Sequence, residues 1–284
     1  MLRLAGARLV DERDFPAVRA VLAADPVASC MVSSRVETNG LDPIRLGGEL
    51  WAPDSRYSRR AGLPGLCFAG SNLIPLRGDT TALHSFADRA LRRPRRCSSI
   101  VGPASQVLGL WDELVYDWGP ARELRTQQPL LALDREPAVT CDGRVRRVRP
   151  HELDHYYPAA VAMFTEEVGV DPRLGDGGAS YRARVAELIS SGRAFARFEN
   201  GEVVFKAEIG ALSATVGQIQ GVWVHPERRG SGLGMAGTAT VAATLLRDLG
   251  RTASLYVNSF NAPALAAYRK IGFSTVGEFA TVLF

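Results

Sequence analysis

Residues Val222 to Gly234 (Val-Trp-Val-His-Pro-Glu-Arg-Arg-Gly-Ser-Gly-Leu-Gly) constrain the fold more than any other stretch. They read as a strand, a short loop and the start of a helix. Gly230, Gly232 and Gly234 alternate, with Arg228 and Arg229 just before them. Glycines let successive backbone N–H groups converge on one point. A helix start adds unpaired N–H donors and the positive end of its dipole. The arginines add forked, permanently charged donors. An apolar helix follows with no acid in its first turns, so the stretch predicts a seat for a pyrophosphate.

The 284 residues allow one large domain or two ordinary ones. With 46% apolar and 23% charged residues, packed cores are expected. No apolar run approaches the roughly 20 residues of a membrane span. Residues Met1 to Arg8 do not read as a secretory signal, so a cytoplasmic location without a membrane partner is expected. Cys30, Cys67, Cys97 and Cys141 form no C-x-x-C pair and read as plain buried thiols; no metal is expected. The net charge of +4 is mild. Lys206 and Lys270 are the two lysines, so arginine supplies the rest. The basic runs Arg89 to Arg96 and Arg144 to Arg149 carry no stacking aromatics, so a nucleic-acid partner is not expected.

Periodicity predicts helices over 8–24, 26–38, 80–92 and 105–114, with strands at 46–52, 66–69, 71–76, 98–102 and 130–133. An arginine-rich loop is predicted at 53–62. A polar, turn-rich segment then divides the chain into domains 1–134 and 144–284, with 135–143 as linker. The second half predicts a strand at 145–148, a helix over 151–168 broken at Pro158, and a helix near 179–191. Strands at 194–198 and 203–209 flank an Asn200-Gly201 hairpin turn. A strand over 216–224 precedes a helix over 233–249. A strand at 254–258 precedes a helix capped by Asn261 and closed by Gly272, and 273–284 supplies the final strand or strands. The two halves share this order, but between its strand and its helix the first has Asn72 to Asp79 and no glycine seat.

Gly232 to Gly237 also matches the dinucleotide pattern G-x-G-x-x-G. Seven residues separate it from its strand, and the next strand ends in Asn258 rather than the acid that would hold a ribose. Arg229 to Gly234 instead resembles the R-x-x-G-x-G loop of the Gcn5-related N-acetyltransferases (GNAT). Asn258-x-x-Asn261, followed by Tyr268-x-Lys270-x-Gly272-Phe273, resembles a second segment of that family. The resemblance covers about residues 144–284. The two-copy order is similar to tandem actinobacterial members such as the mycothiol synthases, whose N-terminal copy is inactive.

The resemblance implies an α/β (α+β) architecture of two GNAT-like domains, each a mixed, mostly antiparallel twisted sheet flanked by helices. Central parallel strands should splay apart in the C-terminal one. It implies acetyl-CoA as co-substrate and no metal. Val222, Trp223 and Val224 would meet the pantetheine arm, with Gly221 suited to a bulge. Arg228, Arg229, Gly230, Ser231, Gly232, Leu233 and Gly234 would hold the pyrophosphate. Asn258, Asn261 and Tyr268 would line the arm near the thioester. Tyr268 would protonate the leaving sulfur; read without the family, it is a core aromatic on an amphipathic helix.

Relatives carry a glutamate base on the strand entering the loop, where this chain has Gln218 and Gln220, which cannot serve. Glu208 and the Glu166–Glu167 pair are the alternatives, each also readable as ion-paired surface. The reaction implied is acetyl transfer to a primary amine by direct attack in a ternary complex. A small molecule, a peptide N-terminus and a protein lysine all stay open as acceptor, as do monomer and homodimer. Carboxylates at 166, 167 and 171 would favour a cationic amine. The alternative is a non-catalytic acyl-CoA sensor or interaction protein.

Overall fold

A computed structural model describes residues 6–54 and 62–284. Contacts divide the chain into two compact units. The first comprises residues 1–130, 256–259 and 275–284; the second comprises 131–255 and 260–274. The division at 130/131 falls near the expected boundary. The last ten residues do not join the second unit, as a domain over 144–284 would require. The reason is strand pairing: β12 (Ser274–Leu283) runs antiparallel to β5 (Ser99–Pro103), from Phe279 opposite Pro103 to Leu283 opposite Ser99.

The first unit orders its strands β1-β2-β3-β4-β5-β12-β6. Here β1 is Ala7–Leu9, β2 Gly48–Pro53, β3 Leu66–Gly70, β4 Asn72–Arg77 and β6 Glu123–Leu133. The helices are α1 (Phe15–Ala24), α2 (Cys30–Asn39), the short α3 (Pro43–Leu46), α4 (Thr80–Leu91) and α5 (Ala104–Trp118). Successive strand residues point to opposite faces. Leu50, Phe68 and Ile74 therefore pack with Val18, Leu22, Val32 and Val36 of α1 and α2. Trp51, Cys67, Leu73 and Ile100 pack with Leu83, Phe86, Leu110 and Leu114 of α4 and α5. Most of the loop expected at 53–62 lies outside the described residues. The strand expected at 130–133 begins at Glu123, in a run too polar to read as buried.

The second unit orders β11-β10-β9-β8-β7. These are Thr252–Tyr256, Val216–Val224, Glu202–Leu212, Ala194–Glu199 and Arg146–Arg147. Its helices are α6 (Leu153–Val168), α7 (Ala179–Ser190), α8 (Leu233–Arg247) and α9 (Ala262–Ile271). The break expected at Pro158 does not occur; α6 runs through it. The proline forfeits one bond, to the carbonyl of Asp154, a position exposed to solvent. Tyr156, Ala160 and Met163 of α6 and Val185, Leu188 and Ile189 of α7 pack on Ala194, Ala196, Val203 and Trp223.

Both units are mixed, mostly antiparallel sheets flanked by helices. Each contains a parallel pair: β4 with β5, and β10 with β11.

Candidate active site

The site in the second unit begins where β10 and β11 part. They pair in register only at Val216–Thr252, Gly217–Ala253 and Gln218–Ser254. Beyond that point β10 runs on to Val224 without β11 beside it. This is the splay expected of the central parallel strands. Gln218 stands at the last paired position, 1% exposed, and its Nε2 has no hydrogen-bond partner.

Past the parting point β10 bulges. Gly221 has φ +57°, and the register against β9 shifts between Gln220 and Trp223. Lys206 Nζ donates to the Gly221 carbonyl at 3.2 Å and to Glu208 Oε1 at 2.8 Å. Tyr156 Oη donates to the same Glu208 oxygen at 3.1 Å. A Cβ at Gly221 would crowd Met163 and Lys206 Nζ at 3.0 and 3.1 Å, so the bulge sits directly over this cluster. Glu208, 4% exposed, is thus held by two side chains, Lys206 and Tyr156. Trp223 turns its indole into the core.

The loop after β10 makes one turn at Pro226–Arg228 and is held by its own polar groups. Arg229 Nε donates to the Val224 carbonyl at 3.2 Å, and Ser231 Oγ to the Arg228 carbonyl at 2.6 Å. Gly232 caps α8 at φ +83° with no side-chain hydrogen bond, and the first turn carries no acid. The leading N–H groups of α8 therefore lack a side-chain cap, and a Cβ added at Gly230 or Gly232 meets nothing within 4 Å. A helix start left bare in this way is electropositive and suits an anion. The loop's arginines are already paired at the surface, Arg229 with Glu166 at 2.7 Å and Arg228 with Glu199 at 2.6 Å. Gly237, third glycine of the misleading dinucleotide pattern, serves packing. A Cβ there would lie 2.6 Å from the Phe205 ring of β9.

The equivalent point in the first unit is closed chemically. Asp79 caps α4, its carboxylate accepting from Ala82 N at 2.9 Å. A fixed negative charge there satisfies the helix end and repels a second anion.

Tyr268 lies on α9 and is buried. Burial, with a smaller push from the charge of Glu167, raises its phenol above the ordinary tyrosine range, so it keeps its proton. Asn261 caps α9 through Ala264 N at 3.2 Å. Asn258 clusters with the first unit, where its Oδ1 accepts from Gln128 Nε2 at 2.8 Å. Asp171 is held by Arg173 at 2.7 Å, its carboxyl lowered to about 2 by that hydrogen bond. Lys206 and Tyr156 escaped the reading of the sequence. A lysine two residues from a glutamate on one strand was the available signal, because such residues share a face. Among the described residues no cluster of His, Cys, Asp and Glu could hold a metal, and no helix is long and apolar enough to cross a membrane.

Comparison with known proteins bears on the fold. Residues 204–282 match the FR47-like protein family, and residues 48–156 match a domain of unknown function, DUF4081. A tandem GNAT protein from the clavulanic acid biosynthesis pathway superposes with a TM-score of 0.56 at 15% identity, covering 98% of each chain. A GCN5-related N-acetyltransferase from Sphaerobacter thermophilus gives 0.59 at 15% identity, over 97% of this chain and 93% of its own. A GNAT-family acetyltransferase from Colwellia psychrerythraea gives 0.55 at 11% identity, over 98% and 99%. The chain therefore has the tandem GNAT fold. Within that class it is 44% identical over 61 residues to mycothiol acetyltransferase from Saccharomonospora viridis. That stretch is 22% of this chain and 20% of the relative's length.

Proposed function

We propose that the second unit is an acetyl-CoA-dependent N-acetyltransferase acting on a primary amine. The observation that carries this reading is the uncapped, glycine-lined start of α8, reached by one short loop from a strand whose pairing with its parallel neighbour has ended. Backbone N–H groups of Gly230 to Gly234, with Arg228 and Arg229, would hold the pyrophosphate. The stretch of β10 at Val222 to Val224, beyond the reach of its pairing with β11, would run beside the pantetheine arm, and Asn261 would line it. Bound acetyl-CoA supplies a thioester acyl group.

Tyr268 stands in this reading as the acid. Its phenol stays protonated because it is buried, so it has a proton to give to a departing thiolate. The amine forms the new C–N bond as the C–S bond breaks, and its surplus proton leaves through water toward Glu167, the carboxylate whose charge reaches Tyr268. Glu208, engaged by Lys206 and Tyr156, fits a supporting role better than that of base. Among the carboxylates that would attract a cationic amine, Glu166 and Asp171 are paired with arginines.

The test measures acetyl-CoA binding by calorimetry and thiol release across a panel of diamines, amino sugars, peptide N-termini and lysine peptides. Saturable binding with amine-dependent release supports the enzyme. Tight binding with no release against any amine would favour an acyl-CoA sensor, and absence of binding would sink both readings.

A further inference from the structure

The first unit has a cavity of about 470 Å³ that the site above does not use. It opens between the start of β2, the turn joining β3 to β4, and the segment after α4. That is the opposite end of β4 from the strand-to-helix loop at Asp79, so it is not a vestige of a glycine seat.

The floor is apolar and the walls are basic. Trp51, Leu73 and Ala90 form part of the floor. Gly48 and Gly70 add bare backbone to the lining; a Cβ at either would strike backbone atoms at 2.6 or 2.7 Å, so close packing of β2 on β3 requires glycine at both. Ile44 stands at the rim, 91% exposed. Among the described residues, the charged lining is four arginines, 89, 93, 95 and 96, against one carboxylate, Glu49. That carboxylate is already used: it accepts from Trp51 Nε1 at 2.8 Å and from Arg89 and Arg93 at 3.2 Å each. Arg89 lies over the Trp51 ring at 5.3 Å, and its buried Nε has no hydrogen-bond partner.

We propose that this cavity binds a small organic anion, with an aromatic or apolar body against Trp51 and a carboxylate or phosphate among the arginines. The volume is that of a small-molecule pocket. Guanidinium forks match either oxyanion with paired hydrogen bonds. Beyond Glu49 the positive charge has no counter-charge among the described lining residues, and an anionic ligand supplies it.

The test uses the full chain with phenyl phosphate, phenylacetate and neutral benzyl alcohol, read by calorimetry and tryptophan fluorescence. At least one anionic probe should saturate with a Kd of about 1 mM or tighter, and benzyl alcohol should bind at least about tenfold more weakly. The stronger anion identifies the headgroup. Arg93→Ser with Arg96→Ser should weaken the anion at least about tenfold while leaving the melting temperature and acetyl-CoA binding unchanged. Both arginines are exposed. Should the double variant fold poorly, Arg96→Ser alone should still weaken binding severalfold. The proposal is overturned if neither anion saturates, if benzyl alcohol binds equally well, or if the arginine variants bind as the parent does. It is equally overturned if a single-stranded oligonucleotide occupies the arginines and phenyl phosphate cannot displace it.

Discussion

Lys206 and Glu208 point the same way from β9 and form a 2.8 Å ion pair out of reach of solvent. Two further groups complete it: the Tyr156 hydroxyl on Glu208 and the Gly221 carbonyl under Lys206. Charges survive burial only when paired and hydrogen-bonded. The pair thus ties α6, β9 and the β10 bulge together at one point. Removing one partner strands the other, so Lys206→Met or Glu208→Leu should each cost about 3–5 kcal/mol in urea denaturation. The double variant should recover much of that loss. Additive losses would mean the two charges do not depend on each other.

Tyr268→Phe keeps the ring and removes only the hydroxyl, and with it the proton the acid would give. Given turnover, kcat should fall about 10²–10⁴-fold with KM for acetyl-CoA nearly unchanged. Because burial holds the phenol protonated, any alkaline loss of rate due to Tyr268 should lie above its ordinary value of 10. An unchanged kcat in the phenylalanine variant removes Tyr268 from the chemistry.

Gly232→Ala separates backbone strain from ligand contact. Its φ of +83° makes a side chain cost about 1–2 kcal/mol wherever it occurs. Gly250, at φ +62° beyond the other end of α8, gives a matched control. Both alanine variants should lose similar stability by thermal melting. Only Gly232→Ala should weaken acetyl-CoA, by about tenfold or more in calorimetry.

Glu152 reports on acid stability. Its hydrogen bond to Arg146 at 2.6 Å, aided by the Arg149 N–H, lowers its carboxyl from 4.5 to about 2. A carboxyl lowered on folding stabilises the fold above its unfolded pKa, and that contribution fades as pH falls toward the folded value. Glu152→Gln should therefore cost about 1 kcal/mol near neutral pH, a modest figure for a partly solvated pair. The gap from the parent should close as pH drops from 4.5 toward about 2, read by urea midpoints across that range.

Much of the local structure was legible beforehand because it depends on neighbours in the chain. The β10 span of 216–224, the Asn261 cap, the Gly272 stop and the Gly221 bulge each follow from a residue type whose backbone preference or side-chain reach is local. Pro158 misled because a proline early in a helix loses a bond that water can replace. Glu123 to Gln127 misled because a strand can be ordered by its ladder while its side chains stay polar and partly exposed.

The order of elements and the glycine loop were determined by the sequence alone, since a left-handed glycine and an uncapped helix start are properties of a few adjacent residues. Only the tertiary structure decided what those residues face. It buried Glu208 beside Lys206, and it assigned the last strand to the first unit through β5. It also showed that Asp79 closes the helix start that Gly232 leaves open. Each of these turns on which distant groups share a desolvated space, and the cost of leaving a charge or a strand edge unpaired is paid between residues far apart in the chain.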